Sequence, residues 1–234
     1  MKKKTKKVLV IAAHPDDEVL GCGATLYKLS KKKYKIKVIF LSDGESSRKI
    51  NNKKIIKDLI KKRENQAIKS AKILGIKKLK FFRLPDNKLD SFDLLKINQI
   101  IENEIKLFKP NIIFTHSNHD LNVDHVVAHN ATITACRAYK FRFINSIYAF
   151  EISSNTESNF KISKKKFSPN VFIDIKNEIT KKLEALSQYK NELEKWPHPR
   201  SLKALKILAH YRGTQSGLDS AEAFQLIREN KKLI

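Results

Sequence analysis

The densest chemistry in this chain lies in Ala13-His14-Pro15-Asp16-Asp17-Glu18, which follows the apolar run Val8-Leu9-Val10-Ile11-Ala12. A histidine, two adjacent carboxylates and a third acid within five residues can supply two hard metal ligands and still leave one carboxylate outside the coordination sphere. Catalytic zinc takes three protein ligands and keeps a position for water, so such a loop needs a third ligand from elsewhere. The plainer reading is that Asp16 and Asp17 cap a helix and complement its dipole, with His14 an ordinary loop histidine. The two readings part on whether a second segment delivers a matching donor to the same place.

The elements around the cluster bear on that question. The apolar run has the length and β-branched content of a buried parallel strand, and the glycines after the acids lead into a helix expected from Gly21 to about Lys32. Lys35 to Leu41 reads as a second strand, completing a βαβ unit. A long helix follows from about Asn52 to Leu74, capped by Gly75. Leu79 to Leu84 is expected as a third strand, Phe92 to Phe108 as a helix and Asn111 to Thr115 as a fourth strand. That strand runs into His116-Ser117-Asn118-His119-Asp120-Leu121-Asn122-Val123-Asp124-His125, and a helix is expected from Asp124 to Tyr139. Both polar clusters thus fall between a parallel strand and a helix. Such loops open on one edge of an α/β sheet, where ligands bind, so the third ligand is available.

Beyond Tyr139 the pattern changes. Ser146 to Ile152 and Val171 to Ile175 read as strands separated by a Ser/Asn/Lys-rich connection, then Lys176 to Glu194 and Ser201 to Tyr211 as helices around the loop Trp196 to Arg200. Gly213 to Gly217 reads as a flexible turn and Ala221 to Phe224 as a final short apolar segment. The expected fold is α/β, a Rossmann-like three-layer α/β/α sandwich with a mostly parallel sheet. At 234 residues it is expected as one domain, with a core over 7–140 and a C-terminal elaboration over 141–234.

The chain carries 48 Lys and Arg against 24 Asp and Glu, a net charge of +24. Forty of the 48 are lysines spread over nearly every segment except 110–139. Nucleic-acid readers concentrate arginine and aromatics on one face, so a solvated lysine surface is expected and a nucleic-acid partner is not. Cys22 and Cys136 suggest no disulfide framework. The basic start Met1 to Lys7 precedes too short an apolar run for a signal peptide, and no run approaches the roughly 20 apolar residues of a membrane span; the expected compartment is the cytoplasm.

Taken together these residues resemble the LmbE/PIG-L family, zinc-dependent de-N-acetylases acting on N-acetylglucosamine-type sugars in glycolipid, mycothiol, bacillithiol and antibiotic pathways. The resemblance rests on Ala13 to Glu18, Arg63, Leu84-Pro85-Asp86 and Asp124-His125. Pro169 to Ile175, Arg212-Gly213, Gly217 and Ala221 to Phe224 extend it over nearly the whole chain. It implies that His14, Asp17 and His125 hold zinc, that Asp16 is the general base, that Asp124 tunes a neighbouring histidine and that Arg63 sits at the substrate end. Iron or cobalt would suit the same ligands.

One departure stands out. Many members have His-Pro-Asp-His at the second motif, whereas this chain has Asn122-Val123-Asp124-His125. Either Asn122 serves as a weaker electrophile, or another group replaces the imidazole, His119 first and His198 of Pro197-His198-Pro199-Arg200 second. His125 and His129 share a helix face, but Val126-Val127-Ala128 lacks the Glu of a HExxH protease. The third glycine of a dinucleotide fingerprint is missing after Gly21-Cys22-Gly23, which excludes a nicotinamide site.

The reading is a metal-dependent hydrolase of the acetamide of an N-acetylated amino sugar or its conjugate. Arg63, Arg200 and His198 are expected at the substrate, where the arginines would suit a phosphorylated, nucleotide-linked or lipid-linked sugar; oligomers are compatible with the sequence. The alternatives are a hydrolase of another acylamide and a catalytically silent binder of anionic glycan or nucleic acid.

Overall fold

The computed structural model describes residues 5–160 and 166–230. The basic start at 1–4 and the middle of the Ser/Asn/Lys-rich connection, at 161–165, lie outside the described residues. Seven strands form one sheet: β1 (Lys7–Ala12), β2 (Lys35–Ser42), β3 (Lys78–Leu84), β4 (Ile112–His116), β5 (Ser146–Phe150), β6 (Val171–Asp174) and β7 (Ala221–Glu229). Their order is β3-β2-β1-β4-β5-β7-β6; the first five are parallel, and β7 runs antiparallel between β5 and β6. Val10 of β1 pairs with Val38 on one side and Phe114 on the other. The connections depart in opposite directions from this β1/β4 junction, the switch point where ligands bind in open α/β sheets.

Among the described residues six α-helices cover the sheet: α1 (Asp17–Lys31), α2 (Lys53–Leu74), α3 (Leu94–Phe108), α4 (Val123–Ala135), α5 (Ile179–Leu186) and α6 (Leu202–Thr214). Because successive strand residues face opposite sides, β1 feeds two cores. Val8, Val10 and Ala12 pack with Leu26 of α1, Leu74 of α2 and Leu186 of α5; Leu9, Ile11 and Ala13 pack with Ile97, Ile101 and Ile105 of α3 and Ala128 of α4. This is the α/β/α layering expected of a mostly parallel sheet.

Several element boundaries differ from the sequence expectation. α1 starts at Asp17 rather than Gly21, because the Asp16 carbonyl accepts the amides of Val19 and Leu20. The chain does break near the glycines, at Cys22, whose φ of −147° and ψ of 17° interrupt the helix. α3 starts at Leu94, with the Asp93 side chain accepting the Leu95 amide. α4 ends at Ala135, and α5 spans only eight residues. Gly213 lies inside α6, where a Cβ would meet the Leu218 carbonyl oxygen at 2.4 Å. The short apolar segment at Ala221 is the start of the nine-residue β7. Both cysteines are buried and free, and among the described residues no helix is long and apolar enough to cross a membrane.

Candidate active site

The tips of β1 and β4 and the starts of α1 and α4 bring the two polar clusters together. His14 follows β1, Asp17 opens α1, and His125 sits in the first turn of α4. His14 Nδ1 lies 3.3 Å from His125 Nε2, and Asp17 Oδ1 lies 3.4 Å from His125 Nε2. One ligand atom from each of the three residues falls within 4.8 Å of the others, and all three side chains are buried.

The donor chemistry fits a metal ion. Asp17 Oδ1 is buried without a hydrogen-bond partner and shares the space with two imidazole nitrogens. Three acceptors aimed at one another are unfavourable unless a proton or cation lies between them. A tetrahedral zinc site with bonds of about 2.0–2.1 Å has donor-to-donor edges of about 3.3–3.4 Å, which the two distances to His125 Nε2 match. The second Asp17 oxygen, Oδ2, accepts the His14 backbone amide at 2.7 Å and fixes the loop.

Carboxylates back both imidazoles. His14 Nε2 is 3.0 Å from Asp124 Oδ2 and 3.0 Å from Asp86 Oδ1. Asp124 in turn accepts the amides of Asn87 at 2.8 Å and Leu89 at 2.9 Å. His125 Nδ1 lies 3.1 Å from Asp120 Oδ1, off the direction of an ideal hydrogen bond; Asp120 is held by the Thr156 hydroxyl at 2.7 Å and the Asn122 amide at 2.9 Å. Carboxylates behind ligating histidines fix ring orientation and raise basicity. Burial disfavours both imidazoliums, but Asp124, Asp17 and Asp86 outweigh it at His14, raising its pKa. At His125, Asp17 and Asp120 outweigh burial and raise the pKa to about 9.

His116 is a neighbour of a different kind. It stacks on His125 with ring centroids 4.1 Å apart, and its Nε2 is 3.4 Å from Asp17 Oδ2. That nitrogen accepts the Ala13 amide at 2.9 Å, which occupies the lone pair a metal would need. Burial and the charge of His125 push its pKa down to about 4, so it is neutral.

Asp16 stands beside the donor set. Its φ of 128° is a conformation that costs energy for a non-glycine residue, and its amide donates to Glu18 Oε2 at 3.1 Å. Glu18 also accepts the Tyr189 hydroxyl at 2.7 Å. Two guanidiniums address the same Asp16 oxygen, Oδ2: Arg63 Nη2 at 3.2 Å and Arg200 Nη1 at 3.3 Å. Burial pushes the Asp16 carboxyl above its ordinary pKa despite both arginines.

The remaining sequence candidates divide sharply. Arg63 is buried and committed, donating to the Pro15 carbonyl at 2.9 Å and pairing with Glu45 and Glu192 as well as Asp16. Arg200 keeps some exposure and bridges Asp16, Glu192 and the Ser154 hydroxyl. Asn122 is the N-cap of α4: its Oδ1 accepts the Asp124 amide at 2.8 Å, and its Nδ2 donates to Asn87. His119 faces a surface cavity that it lines with Asn118, His129 and Lys166, and His198 is exposed, its Nδ1 accepting the Arg200 amide. Neither belongs to the donor cluster. Sequence reasoning missed Asp120, His116, Glu18, Tyr189 and Glu192. Of these Glu18, beside Asp17 in the opening cluster, and His116 and Asp120, which share a strand-end loop with His125, offered a local signal.

Comparison with known proteins places the chain in a family. Residues 9–136 match the PIG-L family, described as GlcNAc-PI de-N-acetylase. An uncharacterized deacetylase, YaiS, of Escherichia coli strain K12 is 31% identical over 196 residues, covering 80% of this chain and 92% of its own. A probable N-acetyl-alpha-D-glucosaminyl L-malate deacetylase 2 of Bacillus anthracis is 24% identical over 199 residues, covering 81% of this chain and 83% of its own. The solved N,N'-diacetylchitobiose deacetylase of Pyrococcus horikoshii superposes with a TM-score of 0.75 at 20% identity, over 96% of this chain and 84% of that one, and shares the fold. With its paired strand-end clusters and these relatives, the chain belongs to the PIG-L family of GlcNAc-type de-N-acetylases.

Proposed function

We propose that this protein is a metal-dependent hydrolase that removes the acetyl group from an N-acetylated amino sugar or its conjugate. The observation that carries the proposal is the convergence of His14 Nδ1, His125 Nε2 and the unpaired Asp17 Oδ1, with Asp16 held just outside them. Zinc held by two imidazoles and a carboxylate supplies Lewis acidity for the acetamide carbonyl and lowers the pKa of water.

The chain's own groups do the rest. Asp16 Oδ1 takes the proton from the attacking water and returns it to the departing amine nitrogen, a general base followed by a general acid. Its raised pKa suits both halves of that transfer. Arg63 and Arg200 hold Oδ2, so the carboxyl cannot rotate away. Asp124 and Asp120 keep the lone pairs of His14 and His125 turned inward. Arg200, the more accessible arginine, contacts the substrate; Arg63 acts through Asp16, and Asn122 serves as the helix cap. With Arg63, Arg200 and Arg48 all paired to carboxylates, the mouth is charge-balanced and suits a neutral sugar.

The test is acetate release from a panel of N-acetylglucosamine conjugates, neutral and phosphorylated, by metal-analysed protein. Release that stops on chelation and returns with one equivalent of zinc is the expected result. A fully zinc-loaded protein that deacetylates no member of the panel would contradict the proposal.

A further inference from the structure

The break in α1 at Cys22 divides a short first piece, which carries Asp17 and Glu18, from the longer piece beginning at Gly23. In an unbroken helix the amide of residue 24 donates to the carbonyl of residue 20. Here the Ala24 amide donates to Glu222 Oε1 at 3.0 Å, the Thr25 amide to Glu222 Oε2 at 2.7 Å, and the Leu20 carbonyl accepts Lys182 Nζ at 2.8 Å. Lys182 and Glu222 themselves pair at 2.6 Å, and both are buried, with 7% and 4% of their surface exposed. The ion pair is spliced into the hydrogen-bond ladder of the helix. Its cation meets the carbonyl end of the first piece and its anion the amide end of the second, which is the favourable sense for both helix dipoles.

We propose that Lys182 of α5 and Glu222 of β7 are positioning residues, which set the angle between the two pieces of α1 and so aim the turn that carries Asp16 and Asp17. The inference rests on the assignment of Asp17 as a metal ligand. The first piece has little freedom otherwise: a Cβ on Gly21 would lie 2.3 Å from Phe150 Cδ2, so the turn is pressed against β5, and any change at the break is passed to its other end. Both positioning residues lie beyond residues 9–136, the stretch matched by the family, so the C-terminal part of the chain completes a site whose donors all come from the N-terminal part.

The experiment compares wild type with Glu222→Gln and Lys182→Met. Zinc affinity of the metal-free protein is measured by chelator competition, alongside thermal midpoint and kcat and KM for acetate release. The expected result is zinc binding weakened about 10–100-fold, the range for residues that orient metal ligands, with kcat lowered and KM little changed. A folded variant with wild-type zinc affinity and kcat, whatever its thermal midpoint, would overturn the proposal. Failure of both variants to fold would overturn it too, since the pair would then hold the fold rather than aim the turn. Zinc affinity needs no substrate, so a wild-type protein that binds zinc but releases no acetate would count against the proposed function and leave this test intact.

Discussion

Asp16 and Asp17 are neighbours of the same type with opposite assignments, and their surroundings separate them. Burial raises both carboxyls, but the charge of His125 outweighs it at Asp17 and holds it well below the usual range, whereas at Asp16 burial wins over Arg63 and Arg200. One is thereby a permanent anion facing two imidazoles and the other a group able to accept and release a proton. The same field makes the metal-free protein sensitive to pH. His125, raised from 6.5 to about 9, contributes stability that is complete below pH 6.5 and lost as pH rises through 9. Glu18, raised by burial to about 8, changes stability in the same direction. Thermal midpoints of metal-free protein should fall between pH 6.5 and 9, and zinc, which binds deprotonated donors, should flatten that slope; a midpoint rising over this window would contradict the assignment. Asp120→Asn should weaken zinc binding about 10–100-fold, measured by chelator competition, and an unchanged affinity would remove Asp120 from the support of His125. The two polar clusters were legible in the sequence because their residue types are chemically distinctive and packed into two short stretches, while the roles expected of His14, Asp16, Asp17 and His125 came from the family resemblance. Glu18–Tyr189 and Arg63–Glu192 were not, because those partners stand 171 and 129 positions apart.

At the scale of the element, helix starts do most of the positioning. α1 and α4 begin at the ends of β1 and β4, and each presents a proposed metal ligand in its first turn. The Asn122 side chain caps α4, its Oδ1 accepting the Asp124 amide. Replacing an N-cap asparagine by alanine costs about 1 kcal/mol, so Asn122→Ala should lower the unfolding free energy by that amount, and Asn122→Ser should restore most of it. Equal losses of kcat in both variants, with stability unchanged, would instead make Asn122 a participant in the reaction. The parallel strands were readable from their β-branched apolar runs. β7 was underestimated because Gln225, Arg228 and Glu229 dilute its apolar character as it passes between β5 and β6. The start of α1 was misplaced because the unusual backbone of Asp16 begins the helix a turn earlier than its glycines suggest.

At the scale of the molecule, the parallel half of the sheet supplies every proposed metal donor, and the C-terminal elements supply groups that hold α1 and the acids beside them: Lys182 and Glu222 at the break in α1, Tyr189 on Glu18, and Glu192 and Arg200 in the ion pairs around Arg63 and Asp16. The large positive charge is mostly lysine, whereas the arginines around Asp16 are tied into carboxylate networks. That contrast was invisible in composition, which counts charges without their partners. The α/β layering and the meeting of the two polar clusters followed from strand-to-helix loops sharing one sheet edge; the antiparallel end and the ion pair inside α1 depend on contacts no short window contains. The most direct measurement on the central claim is acetate release by Asp16→Asn with its metal content determined on the same sample. The account predicts near-stoichiometric zinc and a kcat lowered by about 10²- to 10⁴-fold, the scale of general acid–base catalysis; retained zinc with wild-type kcat would contradict it.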